Sequence, residues 1–132
     1  MIVYLTPEWV EALDTTASAS PSLTKVATGL DLGVTQVVRD TPNGTFIYHL
    51  IIDEGRVRFG VGPAHDEHAR FEQSYRTAVQ VATGKLAAQE AFVKGKVTLT
   101  GDHNKIIEAQ PLFSALESVF DHVRQNTDYS AQ

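Results

Sequence analysis

Between Leu30 and Val61 apolar residues follow a period of two, and two turn signals cut that stretch into three strands. Leu30, Leu32, Val34 and Val38 alternate with Asp31, Gly33, Thr35 and Arg39. Asp40-Thr41-Pro42-Asn43-Gly44 reads as a turn in which Gly or Asn supplies the positive φ angle. Thr45 to Asp53 follows, with Phe46, Tyr48, Leu50 and Ile52 on one face and Ile47, His49 and Ile51 on the other. A strand apolar on both sides is expected to be central. Asp53-Glu54-Gly55 closes a tight hairpin, after which Val57, Phe59 and Val61 oppose Arg56 and Arg58. The three strands form a meander.

Helical signals flank it. Thr6-Pro7-Glu8-Trp9 supplies a hydroxyl N-cap, a proline where no N–H is needed and an acid in the first turn, and Trp9, Val10, Leu13 and Ala17 share one face. Pro21 breaks this helix and allows a second short one through Lys25-Val26. Past the meander, Gly62 to His65 is a loop and Glu67 to Ser74 a fourth strand, with Ala69 and Phe71 opposed to His68, Arg70 and Glu72. Tyr75 to Thr83 is a helix stopped by Gly84, Leu86 to Val93 a second one ending at Gly95, and Lys96 to Thr100 a fifth strand with Val97 and Leu99 inward. Ile106, Ala109, Phe113, Leu116, Phe120 and Val123 then form a stripe widened by Ile107, Leu112 and Val119, and the continuous helix runs from Pro111 to Arg124. Gln125 to Gln132 reads as a polar, frayed tail. The order predicts one α+β domain over residues 1–124, a five-stranded mainly antiparallel sheet with helices covering one face.

Composition narrows the function classes. A chain of 132 residues can bury a core without staples, and the absence of cysteine removes disulfides, thiolate metal sites and thiol nucleophiles. A net charge of -5 with 11 scattered Lys and Arg gives no footprint for nucleic acid or an anionic membrane. The N-terminus lacks the basic and apolar regions of a secretory signal, and no apolar run is long enough to span a bilayer, so a soluble cytoplasmic protein is expected.

Motifs with chemistry are weak. Gly84-Lys85 and Gly95-Lys96 lack the upstream glycine of a phosphate loop, with Val79 and Glu90 in its place, and no Ser or Thr follows, so both read as turns. His65-Asp66-Glu67-His68 has metal-binding residue types but no third ligand by spacing, and no metal site is predicted. His49 reads as a half-buried, hydrogen-bonded residue, and His103 and His122 as surface positions. Ser74, Ser114 and Ser118 have no elbow motif, and Asp53-Glu54 are solvated turn carboxylates. No catalytic constellation and no cofactor motif stands out, so the chain is not expected to be an enzyme.

Gly84-Lys85, Ala91-Phe92, Gly95-Lys96, Val97, Leu99 and Gly101-Asp102, preceded by the helix at Tyr75 to Thr83, resemble the signature of sterol carrier protein 2 domains, in a bacterial-type member. The match extends more loosely through the meander. The resemblance implies helices enclosing an apolar cavity over the sheet, a ligand such as a sterol, fatty acid or fatty acyl-CoA, and carriage or presentation to a partner enzyme. It also implies ligand contacts from Trp9, Phe46, Tyr48, Phe59, Phe71, Tyr75, Phe92, Leu99, Phe113, Leu116 and Phe120, with Tyr48, His49 or Tyr75 supplying polar specificity. Lys85 or Lys96 could meet an acyl-CoA phosphate as a point charge. A ketosteroid-isomerase-like cone fold is the rival, but there the helices largely precede the sheet, which this order contradicts.

Overall fold

The computed structural model describes residues 1–129. The chain opens with a short strand, β1 (Ile2–Val3), and helix α1 (Pro7–Ser18). Thr6 caps α1, its Oγ1 accepting a hydrogen bond from the Trp9 N–H at 3.3 Å. Ser20 accepts likewise from the Leu23 N–H, at 3.3 Å, at the start of α2 (Pro21–Ala27). The meander forms as β2 (Leu32–Thr41), β3 (Gly44–Asp53) and β4 (Arg56–Val61). Glu54 and Gly55 adopt φ of 51° and 78°, the two left-handed residues that a tight hairpin with right-twisted strands requires. In the preceding turn Gly44 has φ of 94°, but the second left-handed residue is Asp40 and not Asn43, because the β2–β3 register shifts between Val38 and Thr41.

The chain continues through β5 (Ala69–Ser74), α3 (Tyr75–Ala82), α4 (Ala88–Val93), β6 (Val97–Gly101), α5 (His103–Glu108), α6 (Gln110–Arg124) and β7 (Thr127–Asp128). The main sheet runs β4-β3-β2-β5-β6, antiparallel except for β2 with β5, which is the expected α+β architecture. Several details depart from the sequence reading. The middle strand is β2, with β3 beside it. A separate helix, α5, precedes α6. The second helix of the pair starts at Ala88, since residues 85–87 remain a link. On α6 the buried side chains are Leu112, Leu116, Val119 and Val123, so Phe113 and Phe120 sit at the margin of the stripe. The segment read as a frayed tail is partly tied down: Thr127 and Asp128 pair in parallel with Ile2 and Val3, and the buried Thr127 donates its hydroxyl to the Val123 carbonyl at 2.6 Å. The final positions of that tail, 130–132, lie outside the described residues.

The link from β4 to β5 crosses the sheet face that the helices leave open. Along it, the Gly62 N–H donates to the Ile47 carbonyl at 2.8 Å, the Ala64 N–H to Thr35 Oγ1 at 3.0 Å and the His68 N–H to the Gly33 carbonyl at 2.8 Å. The Gly33 N–H in turn donates to His68 Nδ1 at 2.9 Å. This seven-position strap over residues 62–68 explains why Gly33, Thr35 and Val37 are as buried as Leu32, Val34 and Val38 on the helix-covered face. It also explains Gly33: a Cβ there would lie 2.4 Å from the Asp66 carbonyl oxygen.

On the other face α1 lies along the edge strand β4 and against α6. Asp14 of α1 fixes this contact. Its carboxylate accepts from Arg58 Nε and Nη2 at 2.8 and 2.9 Å and from the Phe59 N–H at 2.9 Å, which satisfies an outward amide of the edge strand.

Two predictions follow from these contacts. Gly33→Ala is expected to destabilise the fold by about 1–3 kcal/mol, because the strap must move away from the sheet; an unchanged urea midpoint would contradict the strap's close approach. Asp14→Ala is expected to cost about 1–3 kcal/mol near neutral pH. The hydrogen bonds from Arg58, aided by the Phe59 N–H against a smaller opposing effect of burial, hold the Asp14 carboxyl below its ordinary value. Its stabilisation is therefore complete above the unfolded value, about 4, and lost as pH falls through the lower folded value. Urea titrations of both proteins should converge in acid, and a difference that persists at about pH 2 would refute the assignment.

Candidate functional site

The strand register lays out the helix-covered face in rows. Phe59, Leu50, Val34 and Ala69 form one row, packed closely under the helices. The next row runs Val61, Tyr48, Gln36, Phe71 and Leu99, and the one beyond it includes Phe46, Val38, Gln73 and Val97. Over Tyr48, Gln36 and Gln73 the helices do not reach the sheet, leaving a cavity of about 540 Å³. Small side chains make this space, since α3 faces it with Ala78, Val81 and Ala82 and the α3–α4 link adds Gly84, Ala87 and Ala88. The volume lies within the roughly 300–1,000 Å³ common for small-molecule sites. Exposed residues, Ala87 and Ala88 on one side and Glu117 and Asp121 on the other, line its edge, so it opens to the surface between the link and α6.

Aromatic rings form its inner wall. Trp9 meets Tyr4 and Tyr48 edge-on, with centroids 5.0 and 5.2 Å apart, and lies 6.5 Å from Phe120. The N-cap at Thr6 starts α1 where its first turn points Trp9 at this cluster. Tyr4 is held there by β1, whose pairing with β7 also brings in Tyr129, 4.7 Å from Tyr4. Burial raises the phenols of Tyr48 and Tyr4 above the ordinary tyrosine value, so both are neutral hydroxyls at any physiological pH.

Polar groups occupy two places. On the sheet floor, Gln36 and Gln73 face the cavity, and among the described residues neither amide, nor the Tyr48 hydroxyl, hydrogen-bonds to another protein group. At the mouth, Arg124 donates from Nη1 to the Ala82 carbonyl at 3.0 Å and pairs with Asp121, tying α6 to the end of α3.

Of the residues expected at the site, Trp9, Tyr48 and Phe120 line this cavity. Phe59 lies behind Phe120, centroids 6.1 Å apart, and Leu116 is core. Phe46 packs beside Tyr48 at 6.0 Å, and Tyr75 sits 6.2 Å from Tyr4. Phe71 and Phe113 are half-buried against the core, Leu99 is half-buried on edge strand β6, and Phe92 is 45% exposed on α4. His49, a candidate for specificity, points to the strap side, its Nδ1 donating to the Gly62 carbonyl at 2.8 Å. Lys85 and Lys96 are exposed and outside the lining. Sequence reasoning missed Tyr4, Gln36, Gln73 and Arg124. The available signal was a break in alternation, because Gln36 and Gln73 are polar residues at inward-facing positions of strands otherwise apolar on that side.

The chain matches the SCP-2 sterol transfer family over residues 11–114. No curated protein matches it at a significant level. Among solved structures it is similar to sterol carrier protein 2, at 19% identity and a TM-score of 0.72, over 89% of this chain and 96% of that one. It is also similar to a conserved hypothetical protein of Thermus thermophilus described as possibly a sterol carrier protein, at 19% identity and a TM-score of 0.69, over 96% of this chain and 92% of the other. A third is the UbiJ-SCP2 ubiquinone synthesis protein, at 19% identity and a TM-score of 0.52, over 86% of this chain and 88% of that one. At such identities the structures establish the fold alone. The family match spans the sheet, the paired helices and the glycines that join them to β6, and by it the chain belongs to the SCP-2 sterol transfer family.

Proposed function

We propose that this protein takes an apolar lipid into the cavity between its sheet and helices and carries it or presents it to a partner. The observation that supports this most is an aromatic-walled space of about 540 Å³, open at one edge, in a member of a sterol transfer family. Capture would draw on removing the ligand's hydrocarbon from water, about 0.8 kcal/mol per buried methylene before ordering costs. Trp9, Tyr48 and Phe120 are the contacts proposed for the ligand body. Phe59, Leu116 and Phe46 hold these rings from behind.

The lining also favours carriage over chemistry. Among the described residues its titratable groups are tyrosine phenols and, at the mouth, Glu117, Asp121 and Arg124, with no serine, lysine or histidine to form a nucleophile and base pair. Presentation to a separate enzyme is a second reading, supported by the resemblance to a ubiquinone synthesis protein. Among the described residues no helix is long and apolar enough to cross a membrane.

Protein purified gently is expected to yield an extractable lipid by mass spectrometry. Addition of a sterol or a long-chain alcohol should change the fluorescence of Trp9, the sole tryptophan. Ala82→Phe, which fills the cavity from α3 and keeps Trp9 the sole tryptophan, is expected to weaken that binding at least tenfold, equivalent to about 1.4 kcal/mol, with little change in melting temperature. Absence of bound lipid together with no fluorescence response to any lipid class would overturn the reading.

A further inference from the structure

From the polar groups inside the cavity we infer that its ligand is an uncharged amphiphile with a hydrogen-bonding head, a hydroxyl, ketone or carboxamide, and that free carboxylates are discriminated against. This rests on the lipid-binding reading and adds the chemical class of the head. Register places Gln36 directly beside Tyr48 across β2 and β3, and Gln73 beside Val38 on the same face. The three side chains thus form one polar patch on the floor of an otherwise apolar space. Tyr48 is 7% exposed, and its hydroxyl has no hydrogen-bonding partner among the described residues. The half-buried Gln36 and Gln73 amides and the Tyr48 hydroxyl are open to the cavity rather than sealed off, so their donor and acceptor atoms are available to a ligand head that accepts hydrogen bonds, donates them or does both.

Charge decides between head groups. No cationic side chain faces the floor from β2, β3, β5, α1 or α3. Among the described residues the lining has one cation, Arg124, already bonded to the Ala82 carbonyl and paired with Asp121, while Glu117 adds a second carboxylate, so these side chains at the mouth carry one positive and two negative charges, net -1. Lys85 adjoins the lining positions Gly84 and Leu86 but is itself exposed and not among the lining residues. A carboxylate entering this space would lose water, meet no free cation and pass two like charges. A neutral head loses its water too, but two amides and a phenol replace those bonds.

The test compares hexadecanol, palmitamide and palmitate, which share a hydrocarbon body and differ in the head, read by Trp9 fluorescence or by competition. Near neutral pH the alcohol and the amide are expected to bind at least tenfold tighter than palmitate. At about pH 4, where a growing fraction of the acid is neutral, that gap should narrow. Gln73→Lys should raise palmitate affinity severalfold while lowering that of the alcohol. Gln36→Leu should weaken the alcohol with little change in melting temperature, and Tyr48→Phe serves the same purpose if the leucine variant misfolds. Palmitate binding as tightly as hexadecanol near neutral pH, or Gln73→Lys leaving their ratio unchanged, would overturn the head-group inference while leaving lipid binding intact. Failure of all three probes to bind would remove the lipid reading and this inference with it.

Discussion

The pairing of β2 with two neighbours of opposite sense holds this molecule together. On one side β2 meets β3 in the antiparallel ladder of a hairpin meander, and on the other it meets β5 in parallel. A parallel neighbour cannot be reached by a tight turn. The chain therefore leaves β4 at the edge, crosses the far face of the sheet through residues 62–68 and returns beside β2. That crossing buries Thr35 and Val37, requires a glycine at position 33 and leaves the helices free to gather on the opposite face.

The same pairing determines what the helices cover. Rows of Leu50, Val34 and Phe59 lie under α1 and α6 with no space between, because large apolar side chains meet from both layers. One row further along the sheet the strands carry Gln36 and Gln73, and the facing helix carries alanines. Two amides on one side and small residues on the other do not interdigitate, so the layers remain apart. The cavity is thus a local failure of core packing, bounded by aromatic rings among which Trp9 meets Tyr4 and Tyr48 at nearly right angles. Its polar floor gives that failure a chemical preference.

The chain ends contribute as much as the sheet. The short parallel pair β1 and β7 holds Tyr4 and Tyr129 at the cavity, and the hydroxyl of Thr127 closes onto the end of α6. Arg124 bridges from α6 to the last carbonyl of α3, so the two helices flanking the mouth are joined through one side chain. Widening the mouth would require breaking this bridge or moving Phe120, which is the most exposed ring of the wall at 36%.

The sequence by itself determined the five strands of the main sheet, most of the helices and the face each of those strands turns inward, because alternation, the N-cap at Thr6 and turn glycines are local signals. The block from Gly84 to Asp102 also showed the family, since those glycines mark the ends of two short helices and the close passage of Gly101 against His68. Tertiary structure alone decided the strand order, the route of the 62–68 strap, the docking of the chain ends and which aromatics reach the cavity. These depend on contacts between residues far apart in the chain, and periodicity carries no information about them. Phe92 and Phe120 illustrate the difference. Both are phenylalanines on apolar stripes, yet one is exposed on α4 and the other lies against Trp9 and Phe59, because only the packing of α6 against α1 decides where a ring at the margin of a stripe points.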